Sequence, residues 1–455
     1  MAEIVDCFAD RPIIVGSGLA GLIAALTISP EPSVLVTRSA LGAETSSAWA
    51  QGGMSVSLSP DDNPSLHLAD TLAAGDGLCD AVAAESIILE ALDAFHVLQH
   101  FGIHFDQDSN GHLALGLEAA HSRRRIVHVG GDRSGTAIVK ALTACVLNDP
   151  SITVLEGLEA RHILMADNVV CGLLLANPTS EIVLPSSRIL LTTGGIGGLY
   201  DATTNPVSNF GQGIAIAARA GAVLADMEFV QFHPTALHCH NRPLALVSEA
   251  VRGEGAVLIN ERGERFMADI PGAELAARNI VAQAISAEIT RGGQVFLDAR
   301  QALGARFSTR FPTITALCHK VGIDPVHMSV PLLITTWAVS QPIAKAAAAF
   351  LAYGLRVKQR LQAYMEQIGL RAIHCLKPSS WGHVQPEISH PTTHTHPSEQ
   401  SLSPLKSLIP HLSGRLSLSA LAYFAMPRIC IVLLLPYCLL WKAKKNLQIP
   451  PSLRC

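Results

Sequence analysis

The chain has 455 residues, 49% hydrophobic residues, ten cysteines and a formal net charge of −4. This length allows two or three domains with a sizeable core, and frequent glycine with few aromatic residues favours an α/β enzyme over a disordered or fibrous chain. The small charge and the scattered cysteines give no indication of a nucleic-acid partner, a disulfide framework or a metal site, so we expect reduced thiols and a cytoplasmic protein.

The first motif lies in RPIIVGSGLAGLIAALTI (11–28), where an apolar run, a glycine-rich turn and a helical pattern follow one another. No basic region followed by an apolar region precedes it, so no secretion signal is predicted. Gly16, Gly18 and Gly21 match G-x-G-x-x-G, in which the glycines allow a tight turn, a close approach to a pyrophosphate and close packing of helix on strand. A strand, turn and helix without a ligand is the alternative interpretation.

The next two segments are SVLVTRS (33–39) and TSSAWAQGGMSV (45–56). The first is a predicted strand, and it ends without the acidic residue that often binds a ribose hydroxyl, which argues against an ordinary NAD site. The second offers two hydroxyls, a Gln and a Gly pair to a flat, polar ring system. A plain surface turn is the simpler interpretation of these residues when they are taken alone.

Four short β-like runs follow between residues 151 and 198, namely ITVLEG, ARHILMAD, VVCGLLLA and RILLTTGGIGG. The last run closes on Thr-Gly-Gly and would bring backbone close to the nucleotide a second time. Two glycine-rich strand ends so far apart in the sequence favour a two-part FAD domain over a single βαβ unit.

Six segments, in the same order, resemble the succinate dehydrogenase/fumarate reductase flavoprotein family: TSSAWAQGG, GLEAAHSRRRIVHVGGDRSG, TTNP, EFVQFHPTAL, SEAVRGEGAVLIN and AELAARNIVAQAI. The resemblance runs from about residue 10 to about residue 330 and is strongest for the branch that oxidises L-aspartate. It implies an α/β fold, with a Rossmann-like FAD-binding domain in 1–226 and an inserted α+β capping domain in 227–330.

The resemblance also implies the residues that bind FAD. They are Gly16, Ser17, Gly18, Gly21, Arg38, Ser46, Ser47, Gln51, Gly52, Gly53, Thr193, Gly194, Gly195 and Asp226. The histidine that links flavin covalently in the succinate branch would fall near Ser46, which cannot make that link. We therefore expect FAD to be bound non-covalently.

Substrates of this family are four-carbon dicarboxylates, which need cations and hydroxyls. The matching motifs offer Gln231, His233, Thr235, Ser248, Glu249, Arg252 and Arg278. Arginine suits bidentate carboxylate binding. Taken alone, His233 would be a core histidine and Arg278 a solvated helix residue. Of the three arginines at 123–125, we expect one or two to contact cofactor or substrate.

Glu118 is predicted to distinguish the branches, because a carboxylate would pair with the ammonium of aspartate and repel a plain dicarboxylate. With His233 and Arg278 it forms the predicted catalytic set, in which Arg278 matches the arginine proposed to shuttle a proton. The implied reaction oxidises L-aspartate to iminoaspartate, with oxygen or fumarate as acceptor. The product would be handed to quinolinate synthase for NAD synthesis. The alternatives are a succinate dehydrogenase- or fumarate reductase-like flavoprotein and a non-catalytic, membrane-associated protein.

The composition changes abruptly after Pro331. The following residues contain 13 of the 33 Lys and Arg residues but only 3 of the 37 Asp and Glu residues. Family motifs stop here, yet permitted codons for Pro331 to Cys375, translated one base out of phase, give AAHYHMGG followed by a long family-like segment. We therefore predict a frameshift at or just before Pro331, with 331–455 as an out-of-frame tail that is non-native in sequence. A divergent C-terminal domain is the alternative.

The tail contains the apolar stretch LSALAYFAMPRICIVLLLPYCLLW (418–441). Its uninterrupted core falls short of the roughly 20 residues that a membrane span needs, and it contains Arg428 and two prolines. We therefore predict no membrane anchor.

Overall fold

The computed structural model describes residues 2–222, 224, 227, 233–335 and 429–430 as a mixed α/β protein. Its helices are α1 (Leu19–Ile28), α2 (Ser46–Trp49), α3 (Pro64–Ala74), α4 (Ala81–Leu89), α5 (Ala91–His100), α6 (Ser134–Asn148), α7 (Gln212–Arg219), α8 (Ala250–Gly253), α9 (Arg278–Thr290), α10 (Arg306–Arg310) and α11 (Pro312–Lys320). Its strands are β1 (Glu3–Ile4), β2 (Ile13–Val15), β3 (Ser33–Thr37), β4 (Met54–Ser55), β5 (Ile126–Val127), β6 (Ile152–Glu156), β7 (Glu159–Ala166), β8 (Val169–Ala176), β9 (Glu181–Pro185), β10 (Ile189–Leu191), β11 (His233–Leu237), β12 (Val257–Asn260), β13 (Val295–Asp298), β14 (Val330–Thr335) and β15 (Ile429–Cys430).

A parallel sheet in the order β15-β10-β2-β3-β6 forms the centre of the nucleotide-binding half. Successive side chains of a strand point to opposite faces, so β2 and β3 contribute side chains to two hydrophobic cores. Ile13 and Val34 pack with β7, β8 and α7, whereas Ile14 and Leu35 pack with α1, α5 and α6. This burial on both faces explains why these strands are apolar runs without alternation.

A second sheet, in the order β1-β9-β8-β7, covers one face of the parallel sheet. Its three longer strands run antiparallel, and β1 joins β9 in parallel. The strands predicted from the apolar runs between 151 and 191 are confirmed as β6, β7, β8 and β10.

A separate sheet, in the order β11-β14-β13-β12, packs against α8 to α11. Its core includes Val251, Val281, Phe307 and Phe311, all fully buried. Strand β14 lies between β11 and β13, so the sheet extends beyond the predicted boundary at residue 330. The domain boundaries themselves stay predictions.

Most of the predicted out-of-frame tail, 336–428 and 431–455, lies outside the described residues. Within the described ranges, none of the helices combines the length and the apolar character that crossing a membrane requires. The apolar stretch 418–441 is represented there only by Ile429 and Cys430 of β15.

The carboxyl ends of β2, β3 and β10 meet at one edge of the parallel sheet, and two glycines allow the close contacts there. Gly16 follows β2 with φ +114°, and a Cβ atom on it would overlap with the backbone oxygen of Thr192. A Cβ atom on Gly21, in the first turn of α1, would overlap with the backbone oxygen of Gly16. The two glycines therefore let α1 pack directly on the turn that follows β2.

We predict that Gly21→Ala destabilises the protein by about 1–3 kcal/mol, because the added methyl group meets fixed backbone. Gly18→Ala is the matched control, since its Cβ atom would meet only the Ser47 hydroxyl, at 3.2 Å. Urea unfolding of both variants measures the difference. Equal unfolding free energies for the two variants would contradict this packing.

Candidate functional site

The glycine-rich turn leads directly into the start of α1. Gly18 is the N-cap residue of α1 and provides no side-chain cap. The Leu19 N–H donates to Ser47 Oγ over 3.1 Å, which fixes α2 beside the helix start. The Ser17 and Thr37 hydroxyls share a hydrogen bond of 2.8 Å between β2 and β3. A helix N-terminus with this backbone geometry suits a pyrophosphate.

The segment from Thr45 to Gly53 is tied to two other parts of the chain. Ser46 Oγ donates to Asn205 Oδ1 over 2.9 Å, and Asn209 Nδ2 donates to Ser46 Oγ over 2.8 Å. The Gln51 amide donates to the Leu246 carbonyl and accepts from the Ser248 N–H. Gln51 therefore joins the predicted flavin segment to the predicted substrate segment.

The strand end after β10 is the third part of this edge. Thr193 Oγ1 is buried and has no hydrogen-bond partner within the described residues. Gly194 has φ +77°, and the Gly195 carbonyl accepts from the Gly211 N–H over 3.1 Å. Arg38, after β3, lies with its guanidinium carbon 5.9 Å from the centre of the Phe210 ring.

These features fit a dinucleotide such as FAD. Gly18 has no side chain of its own where the pyrophosphate would approach, and the buried Thr193 hydroxyl has no hydrogen-bond partner among the described residues. Gly53, at the start of β4, packs so closely on the Val127 carbonyl that a Cβ atom would overlap with it. Asp226, the remaining predicted FAD residue, lies outside the described residues, as does Gln231 of the predicted substrate set.

The predicted substrate residues on α8 and α9 form a buried charge cluster. Arg278 Nε donates to Glu249 Oε2 over 2.5 Å, and Arg252 Nη2 lies 3.5 Å from the same oxygen. The Arg252 side chain is fully buried and also donates to the Glu274 carbonyl. Burial alone would raise the pKa of Glu249, but the charge and hydrogen bond of Arg278 lower it to about 2.

Glu118 faces this cluster from another loop. It is buried, and its Oε1 atom has no hydrogen-bond partner within the part of the chain that the structure describes. Burial, and then the charge of Glu249, raise the pKa of Glu118 to about 7. Gly253 permits this approach, because a Cβ atom there would overlap with the Leu117 carbonyl.

The remaining predicted substrate residues are partly engaged within the protein. His233 Nδ1 lies 3.0 Å from the Thr235 carbonyl oxygen and 3.2 Å from the Thr235 nitrogen. Burial together with the Arg278 charge lowers the pKa of His233 to about 3. Thr235 Oγ1 donates to the Val247 carbonyl over 2.7 Å. Ser248 Oγ accepts from the Ala250 N–H at the start of α8. The structure thus brings His233, Glu118 and the α8–α9 charges together.

Sequence reasoning missed a second buried cluster around Arg125. Arg125 donates to both carboxylate oxygens of Asp62, at 2.9 and 2.8 Å, and to Asp70 Oδ2 at 2.6 Å. Asp70 also accepts from the Ser122 N–H and hydroxyl. His121 Nδ1 lies 3.2 Å from Arg125 Nη1, and it must accept because a guanidinium only donates. The cluster fixes the loop that carries Glu118.

The three adjacent arginines therefore have separate environments. Arg123 pairs with exposed Asp61 at 3.7 Å, and Arg124 donates to the Leu115 carbonyl over 3.4 Å. The sequence feature that could have indicated a structural role for Arg125 is its position directly before β5. Its partners Asp62 and Asp70 are distant in sequence, so no local pattern indicated the cluster.

The parallel sheet with glycine-rich turns at its carboxyl edge defines a dinucleotide-binding α/β protein. A family model described as "FAD binding domain" matches residues 11–373. The chain belongs to this family, and its cofactor is FAD.

Two similar proteins carry the name L-aspartate oxidase. The one from Xylella fastidiosa (strain 9a5c) is 98% identical over 332 residues, which is 73% of this chain and 65% of that protein. The one from Agrobacterium fabrum is 64% identical over 323 residues, 71% of this chain and 62% of that protein. The chain thus spans slightly less than two thirds of the length of these relatives.

Solved structures show a similar fold. A variant of FrdA from E. coli quinol fumarate reductase matches with a TM-score of 0.68 and 26% identity, covering 73% of this chain and 60% of that one. Mycobacterium smegmatis Sdh1 in complex with UQ1 matches with a TM-score of 0.60 and 28% identity, covering 73% and 59%. The predicted resemblance to the succinate dehydrogenase/fumarate reductase flavoproteins is confirmed at the level of the FAD-binding fold.

We predict that Arg125→Met destabilises the protein by about 3–5 kcal/mol, because it leaves the buried carboxylate of Asp62 and the partly buried one of Asp70 without their cation. Burial raises the pKa of Asp62, but its hydrogen bonds to Arg125 outweigh burial and lower it. Such a depressed pKa stabilises the folded state above pH ~4 and ceases to do so as the pH falls through the folded-state value. The difference in unfolding free energy between Arg125→Met and the parent protein should therefore become smaller below pH ~4.

Arg123→Met is the matched control, since its ion pair is exposed and its loss should change stability by no more than about 0.5 kcal/mol. Chemical unfolding at several pH values gives both results. A similar loss of stability in the two variants would show that the Arg125 cluster has no special role.

Proposed function

We propose that the chain derives from a flavin-dependent enzyme that oxidises L-aspartate to iminoaspartate. The observation that carries this proposal is the buried cluster of Glu118, Glu249, Arg252 and Arg278, in which two guanidiniums and a separate carboxyl converge. The names of the two similar proteins support the same substrate. Because the chain spans only part of their length, the activity stays a proposal.

The roles of the residues follow from their charges. Arg252 and Arg278 would bind the substrate carboxylates, and the buried position of Arg252 would make that pairing strong. Glu118 would bind the ammonium group, which a plain dicarboxylate lacks. His233 is neutral near pH 7, since its pKa is lowered to about 3, so it would act as a hydrogen-bonding group rather than as a charge. Substrate contacts of Gln231, Thr235 and Ser248 complete the proposed site.

Arg278 would also shuttle, beside the reacting carbon, the proton that the substrate nitrogen loses. Arg278 is the first residue of α9, and its Nε atom lies 2.5 Å from Glu249 Oε2. This ion pair gives the Arg278 side chain a fixed orientation in the proposed site. Oxidation removes a hydride from the substrate Cα and a proton from its nitrogen. FAD, when bound, accepts the electron pair of that hydride.

FAD would be held non-covalently by the carboxyl edge of the parallel sheet. Gly16, Gly18, Gly21 and the start of α1 would face the pyrophosphate. The segment Ser46 to Gly53, Arg38 and the Thr193–Gly195 turn would contact the rest of the cofactor. We propose the same domain division as predicted, with residues 1–226 binding FAD, residues 227–330 capping the cleft and Asp226 at their junction.

Electrons would then pass to oxygen or fumarate, and the iminoaspartate would pass to quinolinate synthase in the cytoplasm. The similarity to fumarate reductase supports a fumarate-type acceptor.

The tail from Pro331 onwards would impair this activity. The similarity to the Xylella fastidiosa relative covers 332 residues, which is the extent expected if homologous sequence ends near Pro331. The family match extends further, to residue 373. In the proposed frameshift, the residues that should close the site around the flavin are missing.

We predict that correcting the reading frame by one base at the Pro331 codon gives a protein, called the frame-restored protein below, that has stoichiometric FAD and forms hydrogen peroxide when L-aspartate is added. The chain as written should bind FAD weakly and form little peroxide, because part of its flavin site is absent. Flavin absorbance and a peroxide assay on both purified proteins test this. Full flavin and peroxide from the chain as written would contradict the proposed impairment.

A succinate dehydrogenase- or fumarate reductase-like activity is the second candidate, favoured by the structural similarities. In the frame-restored protein, Glu118→Gln should lower kcat/KM for L-aspartate about a hundredfold, the loss expected for a buried hydrogen-bonded charge. Exposed Glu85→Gln on α4 is the control and should have no effect. An unchanged preference between L-aspartate and succinate in Glu118→Gln would favour the second candidate.

A further inference from the structure

Two buried glutamates of the proposed substrate site, Glu118 and Glu249, lie close enough for their charges to interact, but they have unequal partners. Glu249 has two guanidiniums, at 2.5 Å from Arg278 Nε and 3.5 Å from Arg252 Nη2. Glu118 Oε1 has none within residues 2–222 and 233–335, although it is buried. Two carboxylates in one buried site repel each other unless cations serve both, so the one without a cation retains its proton.

The glycines around Glu118 keep it in this position. Gly253 at the end of α8 packs on the Leu117 carbonyl without room for a side chain, which brings the 117–118 loop against the helix that begins after Glu249. The charge of Arg278, a hydrogen bond from the Gly53 N–H and the charge of Arg252 partly offset the rise in the pKa of Glu118. Glu118 is thus held in a buried position beside the end of α8.

The other groups of the pocket have fixed charge states near neutral pH. Charged or titratable groups reach it from α8, α9, β11 and the Glu118 loop: Glu249, Arg252, Arg278, His233 and His121. Burial and neighbouring arginines lower the pKa of both histidines, and Glu249 stays ionised between its arginines. Glu118 is the group of this set that changes charge near pH 7.

We propose that Glu118 is protonated in the ligand-free protein, that a dicarboxylate carrying an ammonium group displaces this proton, and that a plain dicarboxylate binds only while the proton is retained. This inference rests on the proposed function. In the first case the carboxyl proton is released to solvent and the carboxylate pairs with the ammonium. In the second case the neutral carboxyl donates a hydrogen bond to the ligand.

The choice between the two ligand classes then depends on pH. Above pH ~7 the protein must take up a proton to bind a plain dicarboxylate, so its Kd rises about tenfold per pH unit. Below pH ~7 the protein must lose a proton to bind an amino dicarboxylate, so that ligand weakens as the pH falls. Simple electrostatic repulsion by a permanently ionised Glu118 would give no such dependence.

The first experiment needs no ligand and uses the full chain. A carboxyl with a raised pKa stabilises the folded state below its unfolded value of ~4.3, and this contribution is lost as the pH rises through about 7. The Glu118→Gln variant has no ionisable group at this position, so it does not lose this stability as the pH rises. Its thermal midpoint, compared with the parent, should therefore rise between pH 5 and pH 8, whereas Glu85→Gln should show a constant difference. A constant difference for Glu118→Gln would overturn the inference.

The second experiment measures proton exchange in the frame-restored protein loaded with oxidised FAD. Fumarate is the probe, because it cannot reduce oxidised flavin. Calorimetry in two buffers of different ionisation enthalpy should show uptake of about one proton at pH 8.5 and almost none at pH 6. Glu118→Gln should take up none at either pH. Fumarate binding without this difference in proton uptake would overturn the inference and leave the proposed function intact. Failure of the protein to bind either fumarate or L-aspartate would contradict the proposed function as well.

Discussion

One carboxylate, Glu249, pairs with two guanidiniums, the buried one of Arg252 and the partly exposed one of Arg278, and the proposed substrate site depends on this interaction. A buried arginine without an anion is strongly unfavourable, so Arg252 requires Glu249 to stay ionised in the absence of substrate. Within the described residues, the second acid, Glu118, has no hydrogen-bond partner for its Oε1 atom. An unequal division of charge between two neighbouring glutamates therefore follows from the packing of α8 against α9.

Glycines supply the close contacts that make this arrangement possible. Gly16 and Gly21 let α1 begin directly at the edge of the parallel sheet, which places the helix N-terminus where a pyrophosphate can approach. Gly53 and Gly253 bring the flavin segment and α8 against the loop that carries Glu118. Gln51 then connects the flavin segment to the backbone on either side of Val247. The predicted cofactor and substrate segments are thereby joined through contacts to the backbone.

Local sequence patterns predicted the parallel sheet and its turns well, because buried parallel strands are apolar and are followed by glycine. Strands β2, β3, β6, β7, β8 and β10 all coincide with predicted runs. The Arg125 cluster was missed since Asp62 and Asp70 lie more than 50 residues away, at 63 and 55 positions. The motifs marked Glu118 and Glu249 separately, but their mutual approach depends on Gly253, which no local pattern indicates.

The most direct test of the proposed site is anaerobic reduction of the bound flavin in the frame-restored protein, monitored by the visible absorbance of the flavin. L-aspartate should bleach the flavin and succinate should leave it oxidised, because in the proposed site the Glu118 carboxyl binds the ammonium group. Bleaching by succinate at an equal rate, or by neither compound, would contradict the assignment of this pocket to an amino dicarboxylate.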